Sequence, residues 1–334
     1  MIIGAGLAGL TAGTRLVANG TLAPDELLIV DDGPEVGGRL ATAHLGGATL
    51  DHGAQFFTVR SEELASDVDR WLALGVVEEW CRGFGVPDGY PRYRVRGGMQ
   101  ALARHLAEGL IGAGVTIAVG VSVATVDIDG DRWRLAYGDG DGGADGVRPV
   151  DRAAAVIATP PAPATAALLS PAVLAAATAT GRAVLDDHPY HRVVAILTVL
   201  DGRSPLPDPG ALQQPDDPTF SFVADNQAKG ISPVPAVTFH TSHALSAELW
   251  DADDATVADR LLPAAATVVA PATIVEHRFE RWRYAGPLTP HPERCVTAVE
   301  HPGPLLLAGD GFGGSKVEGA YLSGRAAADR LATA

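Results

Sequence analysis

Two glycine-rich segments near opposite ends of the chain constrain its fold more strongly than any other feature. Residues 4–9 read Gly-Ala-Gly-Leu-Ala-Gly, and residues 307–314 read Leu-Ala-Gly-Asp-Gly-Phe-Gly-Gly. A G-x-G-x-x-G hexapeptide that follows a strand and opens a helix is typical of dinucleotide binding. A simple nucleotide-binding unit closes early in a chain, whereas a flavin-dinucleotide domain is complete only when a C-terminal segment returns to it. The pairing of these two segments therefore predicts a flavoprotein.

The residues around the first segment predict a β-α-β unit. Residues 1–3 are a short strand, 7–19 an apolar helix, and 27–30 a strand buried on both faces. The glycines allow a tight turn, a close approach to a pyrophosphate and the packing of helix on strand. The start of the helix would face the phosphates with unpaired N–H groups and a positive dipole end. The predicted cofactor-binding residues here are Gly4, Ala5, Gly6, Leu7, Ala8 and Gly9.

An acidic pair follows the second strand. Asp31 lies 22 positions after Gly9 and is expected to accept a hydrogen bond from a ribose hydroxyl. Asp32, next to it, is a further candidate for cofactor binding. Only three residues precede Gly4, while typical strands have about 5–6 residues. We therefore expect the true start of the chain to lie upstream.

A second glycine pair favours FAD over NAD. Residues 35–42 read Glu-Val-Gly-Gly-Arg-Leu-Ala-Thr, close behind Asp31. The glycines bring the main chain close to a cofactor, and Arg39 supplies a fixed cation for the pyrophosphate. Gly38, Arg39 and Leu40 are accordingly predicted to bind the cofactor.

Length and charge limit the class of protein. A chain of 334 residues exceeds the usual size of one hydrophobic core, so two domains or one large insertion are expected. The net charge of −15 argues against binding to nucleic acid or an anionic membrane.

The two cysteines predict no disulfide framework, and no secretory signal is visible. Residues 153–181 carry no charge, but Pro160, Pro161, Pro163 and Pro171 interrupt this segment and favour a strand, a turn and a helix over a membrane span. We expect a cytoplasmic protein whose partner is a small-molecule substrate.

The pattern of elements predicts an α/β fold with an FAD-binding Rossmann-like domain of the glutathione-reductase type. Residues 1–59, 94–172 and 294–334 are assigned to this domain. From residue 191 the pattern changes to alternating strands at 192–200, 219–224, 236–240 and 273–282, with one helix at 255–269. Residues 60–93 and 173–293 are therefore assigned to an inserted α+β substrate domain built on a mainly antiparallel sheet.

Several segments together resemble a known family. Residues 31–42 and the run Leu-Asp-His-Gly-Ala-Gln-Phe-Phe-Thr at 50–58 resemble the flavin amine oxidase superfamily, and specifically its renalase-like branch. Segments 94–99, 122–126, 156–160 and 308–324 are similar to further flavin-binding parts of that family. The resemblance implies that these segments bind FAD. It adds as cofactor-binding residues Gln55, Phe56, Phe57, Val123, Thr159, Gly309, Asp310, Gly319 and Ala320.

The same resemblance implies a type of chemistry. Cys295 lies before the last strand rather than in the flavin turn, so non-covalent FAD is expected. Renalase-type substrates would be dihydronicotinamide compounds, for example isomeric NAD(P)H forms, which transfer a hydride to the flavin; oxygen or another acceptor would then reoxidise it. Tyr321 has no second tyrosine beside it in the motif, which weakens the interpretation as a monoamine oxidase.

His240, Trp282 and Gln55 are the candidate catalytic residues. His240 and Trp282 resemble the histidine and tryptophan of the renalase substrate side, and Gln55, with Phe57 and Tyr284, would line the same face. Arg192, Lys229 or Arg283 could provide a cation for a phosphate-bearing substrate.

Metal binding and two other activities are the alternatives to this interpretation. No metal site is predicted, because the His pairs 188/191 and 240/243 lack a third ligand and the Asp-rich turn at 127–131 lacks the glycine of a calcium loop. An amine or amino-acid oxidase, or a desaturase of the same fold, is the second interpretation. A flavin-binding protein without turnover is the third.

Overall fold

The computed structural model describes residues 1–85, 88–138 and 151–333. Its helices are α1 (Leu7–Ala18), α2 (Glu62–Ala73), α3 (Gln100–Ala113), α4 (Ala162–Leu168), α5 (Pro171–Ala175), α6 (Ala179–Asp186), α7 (His243–Glu248), α8 (Asp254–Val269) and α9 (Lys316–Leu331). The strands of the first half are β1 (Ile2–Ile3), β2 (Leu28–Val30), β3 (Thr42–Leu45), β4 (Ala48–Asp51), β5 (Val77–Cys81), β6 (Arg92–Val95), β7 (Thr116–Ala118), β8 (Val123–Asp129) and β9 (Arg132–Tyr137). Those of the second half are β10 (Asp151–Ala153), β11 (Val156–Ala158), β12 (Tyr190–Leu200), β13 (Ala211–Gln213), β14 (Phe220–Asp225), β15 (Ala236–Thr241), β16 (Ile274–Pro287), β17 (Val296–Val299) and β18 (Leu305–Leu307).

The first of two compact units is a Rossmann-like α/β domain, as predicted. It comprises Met1–Gly38, Ala103–Pro189 and Pro287–Ala334. Its main sheet has the strand order β17-β18-β11-β1-β2-β7, in which only β17 runs antiparallel to its neighbour. The central strands are short and apolar on both faces, as expected for a parallel sheet that is covered on each side. The carboxyl ends of these strands carry the predicted nucleotide-binding segments.

Helices α1 and α9 pack closely because both carry small residues at their contact. A Cβ at Gly324 would lie 2.1 Å from the main-chain oxygen of Ala8, so only glycine fits there. Beside the main sheet, β8, β9 and β10 form a small antiparallel sheet whose Trp133 is fully buried in the apolar core of this unit. The N-terminal segment Met1–Gly38 and the C-terminal segment Pro287–Ala334 are therefore joined in one unit.

The second unit, Arg39–Leu102 with Tyr190–Gly286, is built on an antiparallel sheet. The order is β13-β14-β15-β12-β16. One face of this sheet packs against α8 through Val194, Ile196, Val257 and Leu261. The β3–β4 hairpin packs Ala43 and Leu50 with Leu197 and Val199. The mainly antiparallel sheet agrees with the sequence prediction.

The unit boundaries differ from the predicted domain boundaries. Residues 39–59 and 94–102 lie in the second unit, because the β3–β4 hairpin forms an apolar cluster with β12. Residues 173–189 and 287–293 lie in the first unit. There α6 lies against β17, and a Cβ at Gly181 would be 2.5 Å from the Cα of Ala298. Long-range packing of this kind carries no local sequence signal.

Within the described residues, no helix is both long and apolar enough to span a membrane.

Candidate functional site

The glycine loop of the first unit has the geometry that phosphate binding requires. Gly4 has a φ of +102°, and a Cβ there would lie 2.2 Å from Oγ1 of Thr159. A Cβ at Gly9 would lie 1.9 Å from the main-chain oxygen of Gly4. The helix that follows begins without a side-chain cap and without an acidic residue in its first turn. Its N–H groups and dipole are therefore available to an anion.

The main chain in front of this helix is open to a ligand. Gly6 forms a parallel bridge with Gly37, whose N–H donates to the oxygen of Ala5 at 3.0 Å. A Cβ at Gly6 would meet only the oxygen of Gly37, at 3.9 Å. Gly38, with a φ of +52°, has its missing Cβ 3.7 Å from the Cα of Gly6. This glycine-lined cradle fits the pyrophosphate of a dinucleotide.

Asp31 connects the end of β2 to the glycine loop. Its Oδ2 accepts a hydrogen bond from the N–H of Ala5 at 2.6 Å, and its Oδ1 accepts one from Gly33 at 2.8 Å. Burial raises the pKa of Asp31, and the two main-chain hydrogen bonds oppose that shift. Each carboxylate oxygen keeps a second lone pair, which suits the predicted bond from a ribose hydroxyl. Asp32, by contrast, is exposed.

Thr159 supports the glycine loop with its side chain. Its Oγ1 donates to the oxygens of Ile3 at 2.9 Å and Gly4 at 3.3 Å. The C-terminal segment approaches the same strand end, since a Cβ at Gly309 would lie 3.4 Å from the oxygen of Thr159. The N–H of Gly309 donates to Oγ of Ser323 at 2.8 Å. The two glycine-rich segments therefore meet in one unit.

The other predicted residues of this unit have structural roles that are visible in their packing. Asp310 is buried after Gly309, and a Cβ at Gly319 would lie 1.7 Å from the oxygen of Gly314. Ala320 is half-buried in the first turns of α9, and Val123 is buried at the start of β8. Their predicted contacts with FAD remain proposals.

In the second unit, the main-chain carbonyl of His52 brings two candidate catalytic residues together. Nε1 of Trp282 donates to this oxygen at 2.8 Å, and Nε2 of His240 lies 3.0 Å from it. Because a carbonyl oxygen only accepts, Nε2 of His240 carries the proton. The ring of His52 also stacks on Trp282, with centroids 5.2 Å apart. We call these three residues the His52 cluster.

Both histidines of the His52 cluster are neutral near pH 7. Burial lowers the pKa of His240 to about 4. Burial, followed by the positive charge of Arg278, lowers the pKa of His52 to about 4. An imidazole with such a pKa accepts or donates hydrogen bonds but carries no charge at neutral pH.

Gln55 and Thr238 extend this arrangement to the preceding carbonyl. Nε2 of Gln55 donates to the oxygen of Asp51 at 2.6 Å, and Oγ1 of Thr238 donates to the same oxygen at 2.9 Å. Oε1 of Gln55 is buried and meets no donor within the described ranges. A Cβ at Gly53 would lie 2.1 Å from the oxygen of Arg39, so this turn requires glycine. Side chains from two distant parts of the chain are thus fixed by the main chain of residues 51–53.

Asp51 and Lys229 form a fully buried ion pair. Nζ of Lys229 lies 2.6 Å from Oδ2 of Asp51, and neither side chain is exposed. Oδ1 of Asp51 accepts from Oγ1 of Thr42 at 2.6 Å and from the N–H of Met99 at 2.7 Å. Burial lowers the pKa of Lys229, and the Asp51 carboxylate opposes that shift. Lys229 is therefore committed to Asp51, which corrects its prediction as a cation for the substrate.

The two arginines predicted for that role lie on the other face of the sheet. His240 pairs with Ala195 in the β15–β12 register. Arg281 bonds Asp254 of α8 at 2.7 Å, so its neighbour Trp282 points to the opposite face and Arg283 to the α8 face. Arg283 and Arg192 both lie beside the ring of Trp250, at 5.9 Å and 5.0 Å. Neither shares the face of His240 and Trp282.

The remaining predicted residues of the second unit line its aromatic side. NH1 of Arg39 donates to the oxygen of Tyr284 at 3.1 Å. Leu40, the next residue, is buried. Phe57 is buried and stacks on Tyr93 with centroids 5.5 Å apart. Phe56 packs against Phe222, whose ring lies 6.4 Å from that of His240. An apolar aromatic wall therefore adjoins the His52 cluster.

Sequence reasoning did not identify His52, Asp51 or Thr238 as site residues. The run at 50–58 was the available signal, because it carries an apolar strand followed by Asp-His-Gly. A role that depends on a main-chain carbonyl has no residue signature. Among the described residues, no group of three or more His, Cys, Asp or Glu side chains could hold a metal ion.

Comparison with known families gives two matches along the chain. The family described as flavin containing amine oxidoreductase matches residues 68–332, which is more than half of the chain. The family described as NAD(P)-binding Rossmann-like domain matches residues 2–71 and so includes the glycine loop and Asp31. Together the matches extend over nearly all of the described residues.

Solved structures of the same fold come from proteins with different activities. A candidate protoporphyrinogen oxidase from Exiguobacterium sp. 255-15 has a TM-score of 0.70 and 12% identity, covering 99% of this chain and 98% of that one. A cyclohexylamine oxidase from Brevibacterium oxydans has a TM-score of 0.64 and 14% identity, with 99% and 98% covered. A fatty acid isomerase from P. acnes that produces CLA has a TM-score of 0.64 and 13% identity, with 99% and 97% covered. At such identities the likeness shows the fold alone.

Proposed function

Because the chain belongs to the flavin containing amine oxidoreductase family, we propose that it oxidises a dihydronicotinamide compound, such as an isomeric form of NAD(P)H. The protein is an FAD-dependent oxidoreductase, and flavin is its cofactor. The dihydronicotinamide substrate, the renalase-like branch and non-covalent attachment of FAD are the parts that we propose. Oxygen or another acceptor would reoxidise the cofactor.

The residues of the first unit suit the nucleotide part of FAD. The cradle of Gly6, Gly37 and Gly38 would hold the pyrophosphate at the start of α1, and Asp31 would accept from a ribose hydroxyl. When bound, FAD supplies the acceptor for the hydride. Cys295 is buried immediately before β17 rather than in the turn at 309–314, which supports non-covalent binding.

The observation that carries the substrate proposal is the neutral His52 cluster. When a dihydronicotinamide gives up a hydride, one C–H bond breaks with both electrons and the ring becomes an aromatic cation. No proton has to be removed, so no strong base is needed. An amine that is protonated at neutral pH must first lose a proton, and His240, with a pKa of about 4, is a weak base for that step.

The surroundings of His240 support the same substrate class. The carboxylate of Asp51 is buried and paired with Lys229, so it offers no free negative charge to an ammonium group. Phe222, Phe56 and Trp282 present aromatic surface in the same region of the unit. Such surface suits a neutral planar ring.

Anaerobic mixing of the FAD-loaded protein with reduced substrates tests this proposal. We expect isomeric NAD(P)H to remove the oxidised-flavin absorbance rapidly, while cyclohexylamine leaves it unchanged. Rapid loss with amines and none with any dihydronicotinamide would overturn the proposal. The content of bound FAD, measured before mixing, provides the control.

Replacement of His240 by alanine gives a second test. The variant loses one hydrogen-bonding group at the substrate, so we expect flavin reduction about tenfold slower at unchanged FAD content. If the variant loses FAD instead, His240 has a structural role. The exposed His44 provides the matched control, since His44→Ala should leave the reduction rate unchanged.

Amine oxidation is the second candidate function. It is favoured by the matching family and by the likeness to cyclohexylamine oxidase. The same mixing experiment separates the two functions.

A further inference from the structure

The hydrogen bond to His52 determines which nitrogen of His240 remains available. Nε2 donates its proton to the His52 oxygen, at 3.0 Å, so Nδ1 carries a lone pair and no proton. Within the described residues, the contact with the His52 oxygen is the hydrogen bond that the His240 ring makes. His240 therefore faces any ligand as a hydrogen-bond acceptor.

The His52 oxygen holds this arrangement firmly. Trp282 donates to the same oxygen at 2.8 Å, so both lone pairs of the carbonyl are used. The ring of His52 stacks on that of Trp282, and the turn at Gly53 leaves no room for a Cβ. Rotation of the His240 ring would break its hydrogen bond to the part-buried carbonyl of His52, which is unfavourable.

The polar groups next to His240 are already paired within the protein, so none of them offers a free negative charge to a ligand. Thr238, two residues before His240 on β15, donates to the oxygen of Asp51. Lys229 neutralises the Asp51 carboxylate in a fully buried pair. The polar part of this region, as far as the described residues form it, therefore presents an uncharged acceptor.

We propose that the His52 carbonyl fixes His240 as an acceptor that recognises the primary carboxamide N–H of the substrate. This inference rests on the proposed oxidation of dihydronicotinamides, because that ring carries a carboxamide. His52 is a positioning residue in this scheme, acting through His240. The recognised group is an uncharged N–H donor, and a substrate without one binds more weakly.

A substrate pair that differs only in the donor tests the inference. The probes are isomeric reduced nicotinamide adenine dinucleotide and its 3-acetylpyridine analogue, in which a methyl group replaces the amide nitrogen. We expect a half-saturation concentration for flavin reduction about 10- to 100-fold higher for the acetyl analogue, the effect of one lost hydrogen bond. Equal values in the native enzyme would overturn the inference.

Variants separate recognition from folding. In His240→Phe the ratio between the two substrates should fall to about one, whereas in His44→Phe, at an exposed position, it should stay as in the native enzyme. An unchanged ratio in His240→Phe would contradict the assignment. If neither dihydronicotinamide reduces the flavin in the native enzyme, the proposed function itself fails, which is a different outcome from equal reaction with both.

The tautomer can be measured without substrate. Nitrogen-15 NMR of the FAD-loaded protein should show His240 protonated at Nε2 and unprotonated at Nδ1 between about pH 6 and 8. The ring is neutral over this range because its pKa is lowered to about 4. Protonation at Nδ1 would overturn the inference even if His240→Phe did not fold.

Discussion

At the scale of single residues, the second unit keeps two histidines uncharged in a protein whose net charge is −15. His52 and His240 each have a pKa of about 4, and burial is the main cause for both. The hydrogen bond that His240 donates to His52 opposes the shift, but it does not outweigh the loss of solvent. A neutral His240 is consistent with the absence of any need for a base in hydride transfer.

This shift predicts a loss of stability in acid. The unfolded His240 has a pKa near 6.5 and the folded one about 4, so between these values the unfolded chain binds a proton that the native chain does not. The free energy of unfolding therefore rises with pH through this window, and the contribution of His240 to it is constant above the window. In His240→Asn the fall on acidification should be smaller by about 3 kcal/mol.

Urea unfolding at a series of pH values measures this difference. His44→Asn is the matched control: His44 is exposed, so its replacement should leave the pH dependence of stability unchanged. Identical pH dependence in the native protein and His240→Asn would contradict the lowered pKa.

The sequence predicted the residues whose role is local and missed those whose role is a long-range contact. Gly4, Gly9 and Asp31 follow from spacing, because each acts within one β-α-β unit. Lys229 was wrong as a substrate cation, because its partner Asp51 lies 178 positions away in the chain. Burial of that pair could not be inferred from either residue alone.

At the scale of elements, a strong helical repeat of apolar residues was sufficient to predict the longer helices. Helices α1 and α8 were predicted within about one residue of their observed bounds, since their apolar positions repeat along one face. The β3–β4 hairpin and α7 were not predicted, because short elements have little pattern and depend on their neighbours.

The contact between α1 and α9 gives a prediction at this scale. Gly324→Ala places a Cβ 2.1 Å from the oxygen of Ala8, which must push the two helices apart. We expect a loss of about 3 kcal/mol in unfolding free energy and a lower FAD content, because α1 carries the phosphate-binding turn. Gly109→Ala in α3 is the control, since a Cβ there meets nothing within 4 Å.

Thermal unfolding and the ratio of flavin to protein absorbance measure both effects. The control should be more stable than the native protein by about 0.5–1 kcal/mol, because alanine favours a helix over glycine. Equal behaviour of the two variants would show that the α1–α9 contact does not require glycine.

At the scale of the whole molecule, each unit is assembled from segments that are distant in sequence. The second unit combines Arg39–Leu102 with Tyr190–Gly286. The Asp51–Lys229 pair joins these two segments, and its partners Thr42 and Met99 add hydrogen bonds from the first of them. The fold of this unit therefore depends on a contact that forms only when both segments are in place.

Removal of one partner tests how much that contact contributes. Lys229→Met leaves the Asp51 charge buried without its cation, and we expect a loss of about 3–5 kcal/mol in unfolding free energy. The double variant with Asp51→Asn removes both charges and should recover most of this loss, because no unpaired charge then remains buried. Arg182→Met, which breaks the exposed pair with Asp186, should change stability by less than about 1 kcal/mol. Urea unfolding of the four proteins decides the matter: a double variant as unstable as Lys229→Met would mean that the side-chain packing of Lys229, and not its charge, holds the two segments together.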